Sequence, residues 1–141
     1  MGDNMGYIDL GTGRTVKQVA AGGTITCAIL DNDKVKCWGR NHFGALGYGD
    51  TNDRGGGASV MGDNLPYVDV GTGRTVLAVA RGYGPMAENR ACVLLDNNKV
   101  KCWGWNADGG LGYEDSGDTA NRGDMPNDMG DNLPYVDLGS A

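Results

Sequence analysis

CAILDNDKVKCWGRNHFGALGY (residues 27–48) returns as CVLLDNNKVKCWGWNADGGLGY (residues 92–113), a shift of 65. Each copy begins in a β-branched and apolar run, ITCAIL (25–30) or ACVLL (91–95), which reads as a strand. Asp31-Asn32-Asp33 or Asp96-Asn97-Asn98 then leads into a second strand, KVKCWG. Asn and Asp tolerate the left-handed backbone of a tight hairpin, so the two strands are expected to pair antiparallel. With a three-residue loop, Leu30 faces Lys34, and the count sets Ile29 opposite Val35, Ala28 opposite Lys36 and Cys27 opposite Cys37. The same count sets Cys92 opposite Cys102.

Outward from this hairpin the repetition continues. MGDNMGYIDLGTGRTV (1–16) recurs as MGDNLPYVDVGTGRTV (61–76) and again as MGDNLPYVDLGSA (129–141). The chain divides into unit 1 (1–60), unit 2 (61–128) and the start of a third (129–141). The extra residues of unit 2 fall in 82–91 and 114–128, as expected of surface loops between fixed elements. Two further strands per unit are expected. VKQVA (16–20) and VLAVA (76–80) are one kind; LPYVDVG (65–71) and LPYVDLG (133–139) are the other, with Pro near the start where a missing N–H does least harm. Four short strands per unit is the pattern of a β-propeller blade. The expectation is an all-β chain of two blades plus the start of a third, part of a larger or assembled propeller. Met1 occupies the position of Met61 and Met129, so both ends read as cuts through a longer array.

Composition agrees with this reading. Gly supplies 26 of 141 residues, more than twice the ~7% of an average protein. Each interior Gly costs a helix roughly 1 kcal/mol, so long helices are not expected. The net charge is −6, and the 12 Lys and Arg are scattered singly. That leaves no electrostatic footprint for nucleic acid and disfavours an anionic membrane surface. No apolar run approaches the ~20 residues of a membrane-spanning helix.

The four cysteines are the clearest chemical feature. Directly opposed residues of an antiparallel pair lie within disulfide range, so Cys27 with Cys37 and Cys92 with Cys102 are expected as bonds within each hairpin. Buried free thiols are the alternative. Zinc would want closer spacing than ten residues on a hairpin. If the bonds form, an oxidising compartment, extracellular or in the secretory lumen, is favoured.

KCWGRNHFGALGYGD (36–50) and KCWGWNADGGLGYED (101–115) resemble the repeat of the regulator of chromosome condensation family. The motif residues are Trp38, Gly39, Asn41, Gly44, Leu46 and Gly47 in one copy. They are Trp103, Gly104, Asn106, Gly109, Leu111 and Gly112 in the other. The resemblance implies a propeller of four-stranded blades, and two blades are too few to close a ring. Ile25 and Arg90 stand where that family often has His, and Ala45 and Gly110 where it often has Gln.

No catalytic, cofactor-binding or metal-ligating set emerges. His42 is the single histidine and has Ala107 as its counterpart. The Asp-rich stretches 47–57 and 112–128 lack the ordered spacing of a calcium loop. Arg122-Gly123-Asp124 spells an adhesion tripeptide in ordinary turn residues. Tyr83 and Trp105 belong to unit 2 alone and are the candidate interface residues, Trp105 as an exposed anchor. The expected role is a non-catalytic scaffold or protein-interaction module, whose partners are other proteins or further copies of the repeat. The alternatives are a piece of a guanine-nucleotide exchange factor for a small GTPase, or a secreted glycan- or ion-binding propeller.

Overall fold

The computed structural model describes residues 2–84 and 89–140. Part of the longer loop of unit 2, residues 85–88, and the two terminal residues lie outside the described residues. Two antiparallel three-stranded sheets stand side by side. The first runs β1 (Val16–Gly22), β2 (Ile25–Leu30) and β3 (Val35–Gly39). The second runs β4 (Val76–Arg81), β5 (Arg90–Leu95) and β6 (Val100–Gly104).

The hairpin register is the one that the turn length dictates. Cys27 pairs with Cys37 and Ile29 with Val35; Cys92 pairs with Cys102 and Leu94 with Val100. Asp33 and Asn98 take the left-handed conformation at φ 61°. Their N–H groups donate to the carbonyls of Leu30 and Leu95 and close the turns. Both cysteine pairs are disulfides, with Cα atoms 4.1 Å apart.

The segment expected as a fourth strand does not form a ladder. LPYVDVG lies along the outer edge of β3 and makes one backbone bond there, Val68 N–H to Val35 C=O at 2.8 Å. Other groups take the rest of that edge. The Tyr48 hydroxyl accepts from Cys37 N–H at 2.9 Å and donates to Cys37 C=O at 2.8 Å. Gly39 exchanges both backbone bonds with Arg54, at 2.7 and 3.0 Å. Cys37 and Gly39 thus have both outward polar groups, and Val35 its carbonyl, satisfied by three unrelated partners, so a continuous strand is not required. β6 repeats the scheme with Val136, Tyr113 and Arg122.

The core is mostly a seam between the sheets. Cys27, Ile29 and Val35 of the first sheet share one apolar cluster with Val79, Val93, Leu95 and Trp103 of the second. A smaller cluster on the far face of the first sheet holds Leu10, Ala28, Leu30 and Leu65, with Trp38 and Tyr67 packed against it. Alternation along β2 sends Cys27 and Ile29 to one face and Ala28 and Leu30 to the other, so one strand serves both clusters.

Candidate functional site

The loop after each Trp-Gly hairpin is organised by its buried asparagine. Asn41 Oδ1 accepts from Leu46 N–H at 2.9 Å, and its amide nitrogen donates to Asp50 C=O and Oδ1 at 2.8 and 3.0 Å. Asp53 Oδ1 takes the Asn41 N–H at 2.7 Å. Asn106 holds Leu111 and Asp115 in the same way. This tether drives Leu46 and Leu111 into the interior, where both are fully buried.

Between the sheets the loop of unit 1 becomes a receptor for the tryptophan of unit 2. Trp103 is fully buried, and its Nε1–H donates to Ala45 C=O at 3.1 Å. Gly47, at φ +77°, forms the floor. A Cβ there would stand 2.7 Å from Trp103 Nε1 and 3.0 Å from Val68 Cγ1. Glycine is needed at that point both for its φ and for the close approach.

The two outer faces of the pair have no such neighbour. Val79 and Val76 are 4% and 1% exposed at the seam, whereas their repeat-mates Val19 and Val16 are 60% and 49% exposed. Val70 is 6% exposed and its mate Leu138 is 78% exposed. Trp38, the mate of Trp103, is half-buried. At the other end Gly110, Leu111, Gly112 and Val136 repeat the loop that receives the tryptophan.

Two polar clasps join each loop to the next. The Lys36 ammonium is buried and donates to the carbonyls of Leu10 and Gly62, both at 2.8 Å, with Tyr67 4.9 Å away. Lys101 does the same with Val70 and Gly130 beneath Tyr135, and burial holds its pKa below the ordinary lysine value. Asp63 accepts from Thr12 Oγ1 at 2.6 Å and Thr12 N–H at 2.8 Å. Asp131 accepts likewise from Thr72. The threonine hydrogen bonds, side chain first, lower both carboxyl pKa values.

Residues peculiar to one unit meet at one place. Trp105 is half-buried, with the Arg90 guanidinium 5.4 Å from its ring and Phe43 of unit 1 at 6.2 Å. Arg90 also reaches Asp108 at 2.7 Å, and that hydrogen bond lowers the Asp108 pKa. The expected exposed anchor at Trp105 is therefore partly used within the chain, because Arg90 stands where unit 1 has Ile25. Tyr83 remains exposed. His42 is exposed and stacks edge-on against Phe43 at 5.4 Å. The loop carboxylates serve the loops: Asp50 holds Arg54 at 2.9 Å and Asp115 holds Arg122 at 2.6 Å. Among the described residues no group of three metal-ligating side chains is present, and no helix is long and apolar enough to cross a membrane.

Sequence reasoning missed Tyr48 and Tyr113 as edge caps and Lys36 and Lys101 as buried clasps. The lysines were open to detection. Each alternates onto the same face as the motif tryptophan two residues later, an inward position for a charged side chain.

The family model for the regulator of chromosome condensation (RCC1) repeat matches residues 16–45 and 88–109. The chain is 34% identical over 106 residues to the Ultraviolet-B receptor UVR8 of Arabidopsis thaliana, covering 75% of this chain and 21% of that protein. It is 30% identical over 101 residues to the E3 ubiquitin-protein ligase HERC2 of Homo sapiens, covering 71% of this chain and 2% of that one. The chain thus spans about a fifth of the first of these relatives and 2% of the second. Among solved structures, Kap60 bound to yeast RCC1 (Prp20) aligns with a TM-score of 0.63 at 20% identity, over 94% of this chain and 25% of the other. Human WBSCR16 aligns with a TM-score of 0.57 at 21% identity, over 89% of this chain and 26% of the other. These likenesses establish the fold as that of partial propeller blades.

Proposed function

We propose that this chain, which carries repeats of the regulator of chromosome condensation family, is a non-catalytic propeller segment that acts as a scaffold or protein-interaction module within a larger assembly. Its parts are the units 1–60, 61–128 and 129–141, with the motif residues from Trp38 to Gly47 and from Trp103 to Gly112 building the docking loops. The observation that carries the reading is the contrast between seam and ends. Positions buried between the two sheets are open on both outer faces, Val19 against Val79 above all. Apolar surface of this kind, rimmed by polar residues, marks protein contact. The relatives add support in kind: the yeast protein is seen bound to Kap60, a protein partner.

Site-specific photocrosslinking tests the reading. A crosslinking amino acid in place of Val19 or Leu138, added to an extract of the source cells, is expected to yield adducts with polypeptides. Lys17, exposed on the same strand β1, serves as the control and is expected to yield fewer. Absence of polypeptide adducts from both outer faces, in a chain shown to be folded, would overturn it.

A further inference from the structure

We infer that a groove beside the outer edge of β3 binds a proline-rich segment of a partner protein, held extended and flanked by an arginine or lysine. This rests on the interaction-module reading and names a partner chemistry for a place away from the outer faces.

The groove encloses about 680 Å³, within the ~300–1,000 Å³ usual for binding clefts. Three stretches line it: Tyr48 and Arg54 of the unit 1 loop, Pro66 and Tyr67 of LPYVDVG, and Pro126 and Met129 of the joint after unit 2. None of its lining residues belongs to β1 or to the segment that carries Val136 and Leu138, so it is complete without a further unit packed on either outer face. Pro66 and Pro126 are exposed and bring rigid apolar rings to two of the three stretches; Tyr48 and Tyr67 are half-buried. Tyrosine and proline surfaces of this kind accept the ridges of a polyproline II chain.

The hydrogen-bonding groups select the same ligand. Tyr48, Arg54 and Val68 already occupy the outer edge of β3, so a partner cannot enter as a further strand. Tyr67 Oη accepts from Asn32 Nδ2 at 3.0 Å, and its own proton has no acceptor among the described residues. The side-chain amides of Asn127 and Asn132, both exposed, line the groove and likewise have none. An extended proline chain presents carbonyls to such donors and has no N–H at its prolines to be left unpaired.

Charge sets the flank. Asp69 Oδ1 accepts from Gly71 N–H at 3.0 Å and Asp131 Oδ1 from Thr72 N–H at 2.8 Å, so the two carboxylates stand on successive backbone groups. A Cβ on Gly71 would lie 3.0 Å from Asp131 Oδ1 and 3.3 Å from Lys101 Nζ, which sets one ammonium against the pair. Arg74 adjoins the same point but pairs with Asp96 at 3.6 Å. Arg54, elsewhere in the groove, is held by Asp50 at 2.9 Å. One negative charge is thus left over, and a cationic residue beside the prolines meets it.

Fluorescence anisotropy with the whole chain and a labelled oligoproline peptide ending in two arginines tests the inference. Saturable binding is expected. A peptide ending in two glutamates, and one with glycine and serine in place of the prolines, are each expected to bind about tenfold more weakly. Asp69→Asn is expected to reduce the preference for arginine over glutamate about threefold, and Pro126→Ser to weaken the oligoproline peptide about fivefold. Val19→Asp, on an outer face, is expected to leave binding unchanged. Circular dichroism confirms that each variant folds; should Pro126→Ser not fold, Pro66→Ser carries the test. No saturable binding, equal binding of the glycine-serine peptide, or folded groove variants that bind as the wild type does would overturn the inference. If the peptide fails while Val19 still gives crosslinks to other polypeptides, the interaction-module reading survives without it.

Discussion

The indole of Trp103 donates its hydrogen bond to Ala45, a residue of the preceding unit 58 positions earlier in the chain. The largest side chain of unit 2 is thereby spent on holding unit 1. Trp103→Ala is expected to cost ~3–5 kcal/mol, the range for truncating a buried aromatic, and to leave the Ala45 carbonyl without its donor. Trp38→Ala, at a half-buried position with no such bond, is expected to cost well under half as much. Urea denaturation of the two variants side by side checks the difference; equal losses would contradict the seam.

Tyr48→Phe removes one oxygen and two hydrogen bonds, both to Cys37. A loss of roughly 1–3 kcal/mol is expected, because the Cys37 N–H and C=O lose the partner that a fourth strand would otherwise provide. Amide exchange gives the sharper readout: the Cys37 amide should exchange faster, while that of Ile29, inside the ladder, changes little. Burial also raises the Tyr48 phenol above its ordinary value of 10.0. Its contribution to stability is therefore intact below pH 10 and lost as pH climbs toward the raised value. In an alkaline titration Tyr48 is expected to ionise only well above pH 10 or together with unfolding.

Each disulfide closes a loop of 10 residues. Loop-closure entropy for that length gives about 2–3 kcal/mol per bond. Full reduction is therefore expected to lower the melting temperature markedly, and Cys→Ala replacement of one pair to lower it by about half as much. Calorimetry with and without reductant checks both statements. A melting temperature unmoved by reduction would show that the hairpins are held by the seam alone.

Acid should loosen the clasps. Asp63 and Asp131 have lowered pKa values because Thr12 and Thr72 donate to them, and Asp50 because Arg54 does. A carboxyl lowered by folding stabilises above its unfolded value and loses that contribution as pH falls through the lower one. Stability is thus expected to fall with pH below about 3.8, the ordinary Asp value. Thr12→Val combined with Thr72→Val should flatten that acid limb. Asp124 runs the other way: burial and the neighbouring Asp128 raise its pKa. Asp124→Asn is therefore expected to stabilise the chain slightly at neutral pH, read as a higher urea midpoint.

The hairpins were legible because a turn of known length and a period of two leave no freedom in register, which fixed Cys27 against Cys37. The fourth strand was not. Its alternation in LPYVDVG is genuine, and Val68 does bond to Val35. Yet the edge it would have covered is occupied by Tyr48 and Arg54, which come from a loop 11 and 15 residues beyond their partners. Pairing propensity is read locally, and competition for an edge is not. Trp105 is half-buried rather than exposed for a similar reason. Its surroundings include Phe43 from the other unit, a neighbour set by stacking of the blades rather than by sequence distance.

Because Trp103 is the key of one unit and Gly47 belongs to the lock of the unit before it, every repeat carries half of two different joints. Duplicating or deleting one whole repeat leaves each joint with a matching half, while a cut at any other spacing leaves two keys or two locks facing each other. Such a chain can therefore lengthen or shorten in whole repeats with every joint still supplied with both of its halves.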